Sequence, residues 1–378
     1  VKFIAALLTN EHSMSELCRR AGVSRITGYK WWKRYQEGGP AALQERSRAP
    51  VHHPNAVAAQ TVSALLELKA AQPNWGPEKL LDRLAITHPE LKLPVISTAA
   101  EILRRHGLVR ARRRRPRVPA YSAPFVGMHE PNAVWSIDFK GQFRTADGRW
   151  CYPLTLSDGF SRYLLLCQGL PAPTYLAVQR HLERAFRDYG LPWAIRSDNG
   201  TPFAARGLGG LSRLSVWWVK LGIRPERIAK GHPEQNGRHE RMHWTLKQDT
   251  AMPPHANLRA QQRAFDRFHG QYNEERPHAA LAKRTPAQLY RPSPRPYPAR
   301  LPELEYASGF VVRRVCGSGE IKWRGKFVYL SQLLAAEPVG LYQIDDRHWR
   351  VYFGCLPLGI LDDYESTIEP LTGHDRHH

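Results

Sequence analysis

The chain reads as a multidomain protein: all-α units at the N-terminus, a central α/β unit with a mixed sheet, and a small β-barrel at the C-terminus. Three observations lead there. Apolar residues recur at helical spacing as far as about residue 108, the pattern turns to period two from about residue 125, and short strands rich in Val, Tyr, Trp and Phe begin at about residue 306. At 378 residues with 42% hydrophobic content, several separate cores can be buried.

Charge narrows the class of partner. With 55 Lys+Arg against 34 Asp+Glu, the net charge of +21 draws the chain to phosphate backbones or anionic membranes. No apolar run reaches the ~18 residues that span a bilayer, and no N-terminal signal pattern is present, so a membrane is set aside. Cys18, Cys151, Cys167, Cys316 and Cys355 are scattered and lack the close pairs of zinc or redox sites. A reducing cytosol, with the protein on the nucleoid and without structural zinc, is expected. The first residue is Val1 rather than Met, which fits either an alternative start codon or a missing N-terminal piece.

Residues 1–46 read as a helix-turn-helix unit. Gly22 suits the tight turn, Ser24 caps the next helix, and Gly28, Trp32 and Tyr35 fall on its inner face. Arg25, Lys30 and Lys33 are left for phosphates or base edges. A second helical DNA-binding unit is expected over 50–108, with Val57, Val62, Leu65, Leu66 and Leu68, then Leu80, Leu81 and Leu84, then Ala99, Ile102 and Leu103 on its apolar faces. Prolines 73, 77, 89 and 94 punctuate it.

A linker over 109–124 carries Arg110, Arg112, Arg113, Arg114, Arg115 and Arg117. Such a block cannot pack on itself, and its place between DNA-reading helices and the central unit makes nucleic acid its expected partner. In the central unit, 125–292, Trp135 and Ile137 share one face of a strand and Ser136 and Asp138 the other, which predicts an exposed Asp138. Strands 151–158 and 163–167 follow, joined through a turn in which Asp158 serves as an Asx-type residue, then a helix over 174–189 and a strand 193–197 ending at Asp198. The proline-rich stretch 291–298 is read as an extended spacer isolating the C-terminal barrel, 300–378.

Asp138, Asp198 and Glu240 stand out as acids in an otherwise basic chain, a set suited to hard divalent cations acting on a polyanion. Their contexts are Trp135-Ser136-Ile137-Asp138-Phe139-Lys140-Gly141, Ser197-Asp198-Asn199-Gly200-Thr201-Pro202-Phe203 and His232-Pro233-Glu234-Gln235-Asn236-Gly237-Arg238-His239-Glu240-Arg241. Together with Tyr272-Asn273-Glu274-Glu275-Arg276-Pro277-His278, these segments resemble the integrase-core transposases of bacterial insertion sequences, within the retroviral-integrase superfamily.

The resemblance implies a ribonuclease H-like core, an Asp-Asp-Glu active site at Asp138, Asp198 and Glu240, two Mg²⁺ ions with Mn²⁺ as a substitute, and cleavage and transfer of DNA strands. It also implies double-stranded DNA, both element ends and target, as partner, and a homo-oligomer assembled on it. The family's usual interval after the second Asp would select Glu234. The local motif selects Glu240, which follows Gly237 at the start of a predicted helix through Lys247. Trp244 and Lys247 lie four and seven residues beyond Glu240, with Lys247 expected to touch DNA and Trp244 equally readable as core filler. A DNA-binding regulator derived from such a transposase, without catalysis, is the alternative.

Overall fold

The computed structural model describes residues 2–45, 56–109, 128–205, 207–228 and 237–371. The chain divides into two compact units, 1–57 and 58–378. In the first, α1 (Lys2–Leu8), α2 (Met14–Arg20) and α3 (Arg25–Gly38) surround Ile4, Leu17 and Cys18. Gly22 takes a left-handed φ of 65° at the turn, and Ser24 Oγ accepts a hydrogen bond from the Thr27 amide at 3.2 Å. Gly28 is buried where a Cβ would run into Cys18 Sγ, while Trp32 stacks on Tyr35 at 5.9 Å. Arg25, Lys30 and Lys33 point to solvent.

The second unit begins with α4 (Ala59–Ala71), α5 (Pro77–Thr87) and α6 (Ile96–Arg105). Leu65, Leu80, Leu84, Ala99 and Leu103 form their shared core. Trp75, in the connection between α4 and α5, is 2% exposed and belongs to that core, because the connection folds back over the helices. Residues 110–127 lie outside the described part of the chain, and with them Arg110, Arg112, Arg113, Arg114, Arg115 and Arg117.

The central sheet is mixed. Strand β1 (Val134–Phe139) pairs antiparallel with β3 (Trp150–Asp158), which pairs antiparallel with β4 (Leu164–Leu170) and briefly with β2 (Phe143–Arg144). On its other side β1 runs parallel to β5 (Ala194–Ser197), and β5 parallel to β6 (Arg224–Arg227). Helices α7 (Tyr175–Tyr189) and α8 (Arg213–Lys220) cover one face through Trp135, Ile137, Leu154, Leu156, Val178, Leu182, Phe186, Leu214 and Trp218. Period-two alternation sends Cys151, Thr155 and Ser157 of β3 to the opposite face.

That second face is also covered. Helices α9 (Gly237–Thr250) and α10 (Leu258–Gly270) bring Met242, Leu246, Phe265 and Phe268 against Cys151, Leu164 and Cys167. The exposed Asp138 expected from alternation is therefore corrected: its side chain is 18% exposed, because α9 lies over the face that strand periodicity leaves to solvent.

The C-terminal part departs from expectation twice. Strands β7 (Val311–Arg314), β10 (Pro338–Gln343), β11 (His348–Phe353), β12 (Leu356–Asp362) and β13 (Thr367–Pro370) form an open five-stranded sheet, and β8 (Glu320–Trp323) and β9 (Lys326–Tyr329) a separate hairpin. No barrel closes among the described residues. The hairpin instead drops Ile321, Trp323 and Val328 onto Leu341, Val351 and Phe353, burying the sheet by side chains where a barrel would use a continuous ladder.

Nor does the proline-rich stretch isolate this part. It is extended, yet Arg295 donates to the carbonyls of Pro192 at 2.6 Å and Gly222 at 2.9 Å and lies 4.2 Å over the Trp193 ring. The Ser293 amide donates to Tyr189 O at 2.8 Å. Leu211 and Val219 enter the C-terminal core, and Lys220 pairs with Glu337 at 2.5 Å.

Asp158 fulfils its turn role. Buried at 1% exposure, it accepts from the amides of Asn132 (2.7 Å) and Ser161 (2.7 Å) and from Ser161 Oγ (2.6 Å). Asp158→Ala orphans two buried amides and should cost about 3 kcal/mol, read as a lowered denaturant midpoint at unchanged m.

Candidate active site

Two parallel strands deliver the first two acids. The pairing of Ser136 with Arg196 places Asp138 and Asp198 side by side at the C-terminal ends of β1 and β5. Asp198 Oδ1 accepts from the Gly200 amide at 3.1 Å, and a Cβ on residue 200 would come within 2.9 Å of Asp198 Oδ2. Glycine there keeps the carboxylate's position open. Asn199 Nδ2 donates to Ile228 O at 2.8 Å, tying the exit of β5 to the segment after β6.

Glu240 comes from the first turn of α9. The helix is held on the sheet by a polar network that the sequence reading missed. Thr155 Oγ lies 2.7 Å from Nε2 of both His239 and His243 and donates to the Asp138 carbonyl at 3.2 Å. One hydroxyl has one proton, so with that proton on the carbonyl both imidazoles must carry theirs on Nε2. His239 Nδ1 is then an acceptor for the Ser157 hydroxyl at 3.0 Å, and His243 Nδ1 is turned toward Asp138 Oδ2 at 3.8 Å. Burial pushes His239 down to about 3 and lowers His243 as well, so both are neutral rings at neutral pH. The i, i+4 spacing of the two histidines next to polar Thr155 and Ser157 was the available signal.

The exposed side of α9 presents Glu240, Trp244 and Lys247. Trp244 is 53% exposed, so the core-filler reading falls, while its neighbour His243 is 6% exposed. Lys140 is lowered by burial and by the Lys247 charge and raised by Asp138, so the two lysines lie beside the acids. Glu234 lies outside the described residues.

Electrostatics couple the trio. Burial, then the Asp198 charge, then the Glu240 charge push Asp138 up to about 7, with the Phe139 amide opposing. An all-oxygen donor set carrying mutual repulsion fits a hard divalent cation. Among the described residues, however, no three Asp, Glu, His or Cys side chains are close enough to hold one metal ion. The acids sense one another without forming a compact cage.

The sign of the pH dependence follows. Folded Asp138 keeps until about pH 7 a proton that an unfolded chain gives up near pH 4, so this group withdraws stability as pH rises through that window. In EDTA, Asp138→Asn should be more stable than the parent at pH 8 by on the order of 3 kcal/mol, with the difference gone below about pH 4. Denaturant titrations at the two pH values check this.

Comparison with known proteins places these elements. Residues 128–233 and 221–286 match the integrase core domain, residues 27–103 a homeodomain-like domain and residues 1–50 a helix-turn-helix domain. An uncharacterized 31.7 kDa protein of insertion element IS407 from Burkholderia multivorans is 31% identical over 185 residues, covering 48% of this chain and 63% of the relative. An uncharacterized 39.2 kDa protein of insertion element IS476 from Xanthomonas euvesicatoria is 29% identical over 247 residues, 64% of this chain and 67% of the relative. The chain thus spans slightly less than two-thirds of the first relative. The magnesium complex of the HTLV-2 integrase catalytic core overlays 43% of this chain and 99% of its own at 16% identity and a TM-score of 0.35, too distant to carry argument. No helix among the described residues is long and apolar enough to cross a membrane. The chain thus carries a match to the integrase core domain behind N-terminal matches to helix-turn-helix and homeodomain-like domains, and it is similar to insertion-element proteins.

Proposed function

We propose that the chain is a DNA transposase: it binds the terminal inverted repeats of its insertion element and cuts and joins DNA strands at Asp138, Asp198 and Glu240. The observation that carries this reading is that Asp138 and Asp198 stand together at the ends of two parallel strands, with Glu240 on the overlying α9 near enough for its charge to act on Asp138. Residues 1–46 and 50–108 would read the ends, 109–124 would track phosphates, 125–292 would perform the chemistry and 300–378 would support the complex. Arg25, Lys30, Lys33, Lys247 and the arginines from 110 to 117 are the proposed DNA contacts. A homo-oligomer is part of the reading, because two ends must be held together for joining.

Asp138, Asp198 and Glu240 would hold divalent metal, magnesium by their oxygen-only chemistry. Two such ions, when bound, supply activation of a hydroxyl nucleophile and stabilisation of the departing oxygen. Within the chain, Asp138 and Asp198 stand adjacent on rigid strands, so the substrate phosphate meets a preset pair of acids. Lys140 and Lys247 place positive charge beside them, where a DNA phosphate would otherwise be repelled. The neutral His239 and His243 hold the helix bearing Glu240 without adding charge to the site.

One other reading is a transposase-derived regulator that binds DNA without cutting it, favoured in that no three Asp, Glu, His or Cys side chains among the described residues lie close enough to share one metal ion. Cleavage of a labelled element-end duplex in Mg²⁺ separates the two. We expect Asp138→Asn, Asp198→Asn and Glu240→Gln each to bind the duplex as the parent does and to lose cleavage by roughly a thousandfold or more. Glu234→Gln should still cut. A parent that binds the ends but leaves them intact would establish the regulator.

A further inference from the structure

A group of cations gathers at the junction of α5 with the core, away from any role assigned above. Lys79 sits in the first turn of α5, Arg241 one residue beyond Glu240 on α9, Arg162 in the connection between β3 and β4, and Arg276 beyond α10. Arg276 is 9% exposed, and its one ion pair among the described residues is long, 3.5 Å from Nη1 to Asp249 Oδ2. Asp249 is shared, since its Oδ1 also accepts from Asn74 Nδ2 at 2.7 Å. Among the described residues the side chains of Lys79, Arg162 and Arg241 make no hydrogen bond or ion pair.

These charges act on one another. Burial and the Arg276 and Arg241 charges push the Lys79 ammonium down to about 8 against the pull of Asp249 and Glu78, and burial together with Arg241 lowers Arg162. His278, 8% exposed and edge-on to Tyr272 at 4.9 Å, lies within reach of Lys79, Arg276 and Arg162. Its Nε2 is buried without a hydrogen-bond partner. Four neighbouring cations with a single shared carboxylate beside Arg276 and Lys79, and a buried ring nitrogen left without a partner, is a cost that folding alone does not recover. An anion with several oxygen acceptors would recover it by supplying countercharge to all four groups.

We propose that Lys79, Arg162, Arg241 and Arg276 form a phosphate-binding site, separate from the three acids, that seats one backbone phosphate of bound duplex DNA where the helical part meets the core. DNA is favoured because Lys79 belongs to the homeodomain-like match and Arg241 to the helix that carries Glu240. The site spans two parts already docked through Asn74 to Asp249 and through Lys283 to Asp82 at 2.8 Å. A phosphate there links the end-reading helices to α9. This inference rests on the DNA-binding reading above.

The test uses the full chain and a mixed-sequence duplex, with affinity measured across a salt series. Lys79→Gln and Arg241→Gln should each make the slope of log K against log salt shallower by about 0.9, and Lys79→Arg should keep the parent slope. Without DNA, Lys79→Gln should melt no lower than the parent, because it removes a repelling charge. A merely structural lysine would lower the melting temperature and leave the slope alone. A parent that fails to bind the duplex sinks the DNA-binding reading itself. A parent that binds with a slope neither glutamine variant changes sinks only this site.

Discussion

One hydroxyl governs the geometry of the core. Thr155 Oγ receives two buried imidazoles and donates to the Asp138 carbonyl, so the strand carrying one acid and the helix carrying another are joined through a single side chain. Each bond contributes only about 1 kcal/mol net. Their placement matters more than their sum, because without them α9 would present two unsatisfied rings to a sheet face and lose its register over β1 and β3. Met242 and Leu246 then add apolar burial around the same line of contact.

Neutrality of those rings is what lets them sit there. A protonated imidazole beneath Asp138 would relieve the crowding of the acids and weaken the call for an external cation. Kept neutral by burial, His239 and His243 leave the repulsion among Asp138, Asp198 and Glu240 intact. The core therefore stores electrostatic stress of one sign at the strand ends. The cluster around Arg276 carries the opposite sign at the junction with α5. In a chain of net charge +21, both kinds of crowding sit where phosphate chemistry or phosphate contact is proposed, and both run against stability.

Much of this was legible from residues alone. Gly22 and Ser24 announce the first helical turn because a left-handed glycine and an N-cap hydroxyl are local devices. Asp158 was readable as a turn residue because its acceptors serve neighbours within three positions as well as Asn132. The C-terminal strands were located by short runs rich in Val, Tyr, Trp and Phe, which β13, Thr367–Pro370, lacks. Barrel closure was misjudged because strand edges pair or fail to pair according to twist and the path of the hairpin, which no local pattern encodes. The proline-rich stretch was rightly extended and wrongly set free, since Arg295 finds carbonyls more than 70 residues away.

By itself the sequence determined the order of elements, the basic character and the family resemblance, and it singled out the three acids as candidates, because periodicity, turn chemistry and motif context act over a few residues. Tertiary structure alone decided that Asp138 is covered, that His243 faces the sheet and Trp244 the solvent, and that the charges of Arg276 and Arg241 act on Lys79. Those outcomes depend on which helix lies on which sheet face. That choice is made by the summed burial and hydrogen bonding of segments remote in the chain, a balance that no single stretch of residues contains.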